Sequence, residues 1–276
     1  VWTTSRFRIM KEKSKYNVLE MKDYILSRAK INANTAIILG SGMGAFADRL
    51  NNPTYISYDD IPNYPISTVK GHSGELTIGN LKNVPLIIAK GRFHYYEGYD
   101  IETITLPIRL FNLLGVKRII ITNAAGSLDL ALTPGEMMII DSHMDCTFRE
   151  SLSVPKKYNS KRYHDPSFTI TARDCAEKIG ISISKGTYCW TMGPAYETPD
   201  EVSFFQSIGG NAVGMSTVPE IQQAAELDMR ILSISIITNY AAGIINKPLS
   251  HEEVIEVSSQ VKDDFANLLT EIITAI

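Results

Sequence analysis

Thr35-Ala36-Ile37-Ile38-Leu39-Gly40-Ser41-Gly42-Met43-Gly44-Ala45 sets a short apolar run directly before three glycines. A run of that length without polar alternation predicts a strand covered on both faces. The glycines then open a short helix. Glycine lets the backbone approach an anion, and a helix N-terminus offers free N–H groups and positive potential. Ser41 adds a hydroxyl. Three readings of the loop stand side by side. It is a phosphate site, or a bare strand-to-helix turn, or a dinucleotide site, since it also satisfies G-x-G-x-x-A with Asp59–Asp60 at nearly the right distance.

The same alternation runs outward through the chain. Val84–Ala89, Arg118–Thr122, Glu136–Ile140, Ser184–Trp190, Ala212–Met215 and Arg230–Thr238 read as further strands. Tyr16–Lys30, Ile101–Leu114, Ser167–Ile179, Pro199–Ile208, Val218–Leu227 and His251–Ile276 read as helices. Pro107 is expected to kink or break its helix. Ser250 and Glu253 are spaced as a capping box. Apolar strands alternating with helices predict an α/β domain, with helices on both faces of a mostly parallel or mixed sheet. Ligands of such folds bind beyond the carboxyl ends of the strands. That selects Gly40–Gly44, Arg92–Tyr99, Asn123–Gly126, Gly193–Glu197, Met215–Ser216 and Asn239–Gly243.

The 276 residues allow one large domain or two small ones. With 27 basic against 30 acidic residues and no strong basic cluster, the chain is not built like a nucleic-acid binder. The three cysteines, Cys146, Cys175 and Cys189, lack CxxC spacing, which argues against a disulfide framework or a zinc site and fits a reducing cytosol. The apolar run Ile231–Thr238 falls well short of the ~20 residues that span a bilayer. Val1–Lys15 has no apolar segment of the kind an export signal needs. Residues 1–15 are expected to be flexible, with Met10 the natural start.

In Arg92-Phe93-His94-Tyr95-Tyr96-Glu97-Gly98-Tyr99 an extended chain sends Arg92, His94 and Tyr96 to one side. Arg presents a planar fork suited to phosphate oxygens, His donates or exchanges a proton, and Tyr stacks on or bonds to a sugar. The competing reading is a surface loop with a packed aromatic stripe. His72, one of five histidines, is a further candidate, while His143 and His164 read as structural. Glu197 can accept two N–H donors from a ligand edge, or simply cap a helix. Asn239 both donates and accepts, which suits a ring showing a carbonyl beside a ring nitrogen, or simply forms a turn.

Taken together, seven ordered stretches resemble the trimeric purine nucleoside phosphorylases. They are Gly40–Gly44, Gly71–Gly74, Gly91–Tyr99, Thr122–Gly126, Gly193–Pro199, Gly214–Glu220, and Asn239 with His251-Glu252-Glu253-Val254. The resemblance implies a single-domain α/β fold over residues 1–276, with a mixed central β-sheet flanked by helices, of the nucleoside phosphorylase/hydrolase kind. It implies that orthophosphate, as co-substrate, cleaves the N-glycosidic bond of a purine nucleoside, with no cofactor and no metal. By analogy Ser41, His72, Arg92, His94, the Ala124 N–H and Ser216 hold phosphate. Tyr96, Met215 and His251 face the ribose, joined by Tyr163 of a neighbouring subunit in a homotrimer. Ala124, Ala125, Gly126, Tyr196, Glu197, Gly214 and Asn239 meet the base, and His94, Glu197 and Asn239 carry the chemistry. The expected setting is purine salvage in the cytoplasm.

Asn rather than Asp at position 239 favours 6-oxopurines, because an amide can donate to a 6-oxo group. The rivals are a methylthioadenosine phosphorylase, disfavoured by Asn239, and a non-catalytic purine or phosphate sensor of the same fold. A nicotinamide-type oxidoreductase would leave Arg92, Glu197 and Asn239 without a role. Met144–Pro166 departs from the family's Asn-Pro-Leu-rich loop except at Arg162-Tyr163. Tyr196 stands where many relatives have Phe, and Tyr240 where mammalian relatives have Lys.

Overall fold

The computed structural model describes residues 14–69, 73–246 and 251–276, the side chains of 251–253 excepted. Its strands are β1 (Thr35–Leu39), β2 (Asn51–Ser57), β3 (Glu75–Leu81), β4 (Val84–Lys90), β5 (Arg118–Ser127), β6 (Met137–Asp145), β7 (Ile183–Trp190), β8 (Ala212–Gly214) and β9 (Arg230–Tyr240). Its helices are α1 (Val18–Arg28), α2 (Ile101–Ile104), α3 (Leu106–Leu113), α4 (Pro166–Lys178), α5 (Pro199–Ser207), α6 (Val218–Glu226), α7 (His251–Gln260) and α8 (Lys262–Ala275).

The strands form one mixed sheet in the order β2-β3-β4-β1-β5-β8-β7-β6-β9, and β5 also pairs with β9. β1 lies between β4 and β5, parallel to both. Its side chains alternate as a strand must. Ala36 and Ile38 join Ile87, Ile119 and Ile121 beneath α1, α3 and α6. Ile37 and Leu39 join Ile88 and Ile120 beneath α4 and α8. Each isoleucine so enclosed contributes about 1.5–3 kcal/mol, and that two-sided burial is why these strands read as unbroken apolar runs.

The hairpin β2–β3 was not expected. β2 is an edge strand with Pro53 inside it, a position where a missing N–H costs no ladder bond. β3 carries Gly79, where a Cβ would lie 3.1 Å from the Asn51 carbonyl oxygen and 3.3 Å from Pro53 Cα. The glycine that disguises this strand is there because another backbone crosses it.

Two expected helices are divided. Ile101–Leu114 becomes α2 and α3, parted at Thr105, because Pro107 has no N–H to give the Thr103 carbonyl. The C-terminal helix becomes α7 and α8, parted at Val261. The Ser250 cap lies outside the described residues. Elsewhere capping follows the sequence: Thr198 and Glu201 form a capping box at α5. Lys15 Nζ sits 2.7 Å from Asp100 Oδ2.

β5 meets β8 antiparallel through its last two residues and β9 in parallel along its length. Since β8 continues through β7 and β6 back to β9, these five strands close a ring. The ring turns the ends of β7 and β8 towards the carboxyl ends of β1, β4, β5 and β9. A flat sheet would have pointed β8 away.

Candidate active site

All of these strand ends open on a cleft of about 750 Å³. Ser41, Arg92, His94, Tyr96, Ala124, Ala125, Gly126, Tyr196, Glu197, Gly214, Met215, Ser216 and Asn239 line it, as do Asn123, Val213, Thr238, Ala241 and Val254. His72 and the side chain of His251 lie outside the described residues. Tyr163 is not on its own chain's cleft. It packs edge-on against His143 and Tyr158, with ring centroids 5.3 and 5.5 Å away. His143 and His164 are buried, and His143 Nδ1 lies 2.9 Å from His164 Nε2.

One end of the cleft gathers a buried guanidinium and its hydroxyl partners. Gly40 is required there, since a Cβ would meet Asn123 Cα at 2.8 Å. The loop that follows enters a 3-10 helix, Gly44–Arg49, rather than an α-helix. Asp59 and Asp60 follow the edge strand β2, three places from β1 in the sheet, so the dinucleotide arrangement is absent.

Arg92 is fully buried, and its Nη1 donates to Ser216 Oγ at 3.0 Å and to Thr217 Oγ1 at 3.4 Å. Its Nε lies 3.2 Å from Glu220 Oε1, also fully buried. Burial pushes the Glu220 carboxyl up, and the Arg92 charge opposes it. Thr217 takes a positive φ of 79°, a costly conformation for a β-branched residue. Asn123 Nδ2 holds it with a bond of 2.9 Å to Thr217 Oγ1. The strained turn is what lets consecutive residues Ser216 and Thr217 both face the guanidinium.

His94 is held by Glu97, which accepts from its backbone N–H at 2.8 Å and lies 2.9 Å from its Nδ1. Burial pushes the Glu97 carboxyl up, but hydrogen bonds from His94 and from the Thr68 N–H and hydroxyl overcome this and bring it to about 2. Burial lowers the pKa of His94, the Glu97 hydrogen bond and charge oppose this, and the Arg92 charge adds to the lowering. In a neutral ring, a proton on Nδ1 facing the Glu97 carboxylate leaves Nε2 as the acceptor. Tyr96 stacks on His94, with centroids 4.8 Å apart at 18°. Gly193, at φ 68°, lets Met215 and Tyr96 approach so closely that a Cβ there would meet both.

The other end presents hydrogen-bonding groups in an apolar frame. Glu197 Oε1 accepts from Thr191 Oγ1 at 2.6 Å. Burial pushes the Glu197 carboxyl up, with the Thr191 bond opposing. Asn239 is aimed by a bulge: the β5–β9 register runs Ala125↔Ile237 and then Gly126↔Asn239, so Thr238 is the extra residue. Thr238 Oγ1 donates to Asn239 Oδ1 at 3.0 Å, and Asn239 Nδ2 donates to the Tyr240 carbonyl at 3.0 Å. That leaves the amide one more N–H to give a ligand. Gly126 makes room, for a Cβ there would crowd Asn239 Nδ2 at 3.2 Å.

Glu97, Thr191, Thr217, Glu220 and Thr238 were not singled out from the sequence. Glu97 and Glu220 stand inside the quoted stretches, and their spacing from His94 and Ser216 was the available signal. Among the described residues no group of three or more His, Cys, Asp or Glu converges as a metal site, and no helix is long and apolar enough to cross a membrane.

Residues 34–274 match the family described as the Phosphorylase superfamily. Purine nucleoside phosphorylase 1 of Bacillus subtilis is 44% identical over 244 residues, which cover 86% of this chain and 90% of that one. The purine nucleoside phosphorylase of Rattus norvegicus is 34% identical over 266 residues, covering 90% and 92%. Among solved structures, a Schistosoma purine nucleoside phosphorylase in complex with hypoxanthine superposes with a TM-score of 0.85 at 32% identity, covering 93% of this chain and 96% of that one. The Schistosoma mansoni enzyme in complex with inosine gives 0.85 at 32%, covering 94% and 96%.

Proposed function

The chain belongs to the Phosphorylase superfamily, among its purine nucleoside phosphorylases, and from that premise we propose how its cleft works on 6-oxopurine nucleosides and orthophosphate. A phosphate oxygen bonds to C1′ of the sugar as the C1′–N9 bond breaks. The bonding pair passes into the purine, which takes up the proton that the phosphate hydroxyl gives up and leaves as the free base, and the other product is ribose 1-phosphate or its deoxy form.

The observation that supports this most directly is the two-ended cleft. Arg92, His94 and Ser216 gather at one end, Glu197 and Asn239 at the other, with Tyr96 and Met215 among the lining residues. Phosphate takes the first end, with Arg92 as counter-charge and Ser41, Ser216 and the Ala124 N–H as donors. His94 Nε2 accepts from a phosphate hydroxyl. The transition state has oxocarbenium character at the sugar, and the bound dianion lies where that charge develops. Glu197 accepts from the purine N1–H, and Asn239 donates to the ring edge that gains electrons. Holding phosphate in line with C1′ supplies much of the acceleration. His72 and His251 belong to the phosphate and ribose ends of the same scheme. The reading extends to a cytoplasmic homotrimer in which the partner subunit's Tyr163 closes the sugar end. Tyr163 standing away from its own chain's cleft is in keeping with that.

The direct test is ultraviolet-monitored cleavage of inosine, guanosine and adenosine with and without phosphate. Phosphate-dependent release of hypoxanthine and guanine, with adenosine nearly inert, is expected. Cleavage without phosphate would make the protein a hydrolase. Asn239→Asp replaces an N–H donor by a carboxylate. It should shift the adenosine-to-inosine preference towards adenosine by about tenfold or more. An unchanged preference would remove Asn239 from base recognition.

A further inference from the structure

We infer that Thr191 is a positioning residue that fixes which edge of the purine ring Glu197 accepts, and so helps to set the 6-oxo over 6-amino preference. This rests on the reading of Glu197 as the base acceptor.

Thr191 directly follows β7, and its backbone N–H donates to the Gly214 carbonyl at 2.9 Å. The side chain is therefore carried on a strand end tied to β8, and a β-branched residue has few χ1 choices. Its hydroxyl has a single proton and two acceptors within reach. Glu197 Oε1 is at 2.6 Å and the Gly214 carbonyl is at 3.4 Å, so the carboxylate takes it. Both residues are buried to about nine-tenths. Among the described residues, Glu201 on α5 and Tyr188 and Cys189 on β7 also interact with Glu197, and none of these three is a cation. The Thr191 hydroxyl thus opposes the burial that would put a proton on this carboxyl.

The consequence for the substrate is a matter of donor and acceptor. The Thr191 hydroxyl on Oε1 and the residue's own backbone N–H both favour the ionised carboxylate, whose remaining acceptor capacity meets a ring N1–H. A 6-oxopurine has that proton. A 6-aminopurine has a bare N1 lone pair, which an ionised carboxylate repels. Without the hydroxyl the buried carboxyl holds its proton to higher pH, and an O–H can donate to the bare N1. Loss of one hydroxyl should then weaken inosine use and favour adenosine together.

The test is Thr191→Val, which keeps the shape, with Thr191→Ala as a second variant that also lacks the hydroxyl and Thr191→Ser as the rescue. kcat/KM for inosine and adenosine is measured from about pH 5 to about pH 9 at saturating phosphate, beside the phosphate KM. The ionisation of phosphate is common to every variant. In Thr191→Val and Thr191→Ala the acid limb for inosine should move up by about one pH unit, which is about a tenfold loss on that limb. The adenosine-to-inosine ratio should rise several-fold, the phosphate KM should hold within about twofold, and Ser should restore the profile. A loss uniform across pH and substrate, or a profile that does not move, overturns the inference. Glu197→Gln is run alongside. If it leaves inosine turnover intact, the reading of Glu197 itself has failed, whatever Thr191 does.

Discussion

Glu197→Ala is expected to lower kcat/KM for inosine and guanosine by at least about a thousandfold, roughly 4 kcal/mol, while phosphate affinity holds within about twofold. The size follows from burial. On the proposed reading a 6-oxopurine brings its N1–H to a carboxyl that is itself about nine-tenths buried, and truncation leaves that donor without its acceptor. The fold should hardly notice. The carboxyl is pushed up by burial, so the protein meets a cost in carrying it, and melting should shift by only a few degrees. Its pH dependence has a definite sign. A raised pKa means that the acceptor is protonated, and the 6-oxopurine lost, at a higher pH than for an exposed glutamate. The acid limb of wild-type turnover therefore begins early. Ordinary inosine turnover in Glu197→Ala would remove this residue from the site.

The parts of the chain that were legible are those where one physical requirement dominates. β1, β5 and β9 are covered on both faces, so they appear as apolar runs whatever else the sequence does. The same reading singled out the strand ends, among them Arg92 after β4, Glu197 after β7 and Asn239 near the end of β9. β2 and β3 were hidden because an edge hairpin is half polar, and because Gly79 and Pro53 suggest turns where the reason is a close backbone approach. The supporting layer of the site was hidden for a different reason. Arg92 and Ser216 are 124 residues apart, and only the fold makes them neighbours. Nothing local announces that Thr217 adopts a positive φ, or that Thr238 is a bulge residue.

Both kinds of irregularity sit where the site needs a side chain aimed. The bulge at Thr238 turns Asn239 inward without interrupting β9, and the strained Thr217 brings two hydroxyls to one guanidinium. A regular ladder or a relaxed helix start would leave those groups on the wrong face. The aiming groups are anchored in turn, Thr217 by Asn123 and Asn239 by Thr238.

Arg92→Met should abolish phosphate-dependent cleavage and also destabilise the protein by about 3–5 kcal/mol, lowering Tm by about 10 °C. The two losses have separate origins. The catalytic one is the missing counter-charge for phosphate. The structural one is Glu220, left with a fully buried carboxylate and no cation beside it. The double variant Arg92→Met/Glu220→Leu tells them apart, because it removes both charges and offers apolar surface in their place. It should recover most of the melting temperature and none of the activity. Glu220→Leu alone has the opposite character. Its Arg92 keeps the Ser216 and Thr217 hydroxyls but loses its built-in counter-ion, so a bound phosphate dianion takes that place, and added phosphate should raise its Tm more than it raises that of the wild type. A double variant no more stable than Arg92→Met would show that the ion pair is not what the fold depends on. Phosphorolysis surviving in either Arg92 variant would move the phosphate away from this end of the cleft.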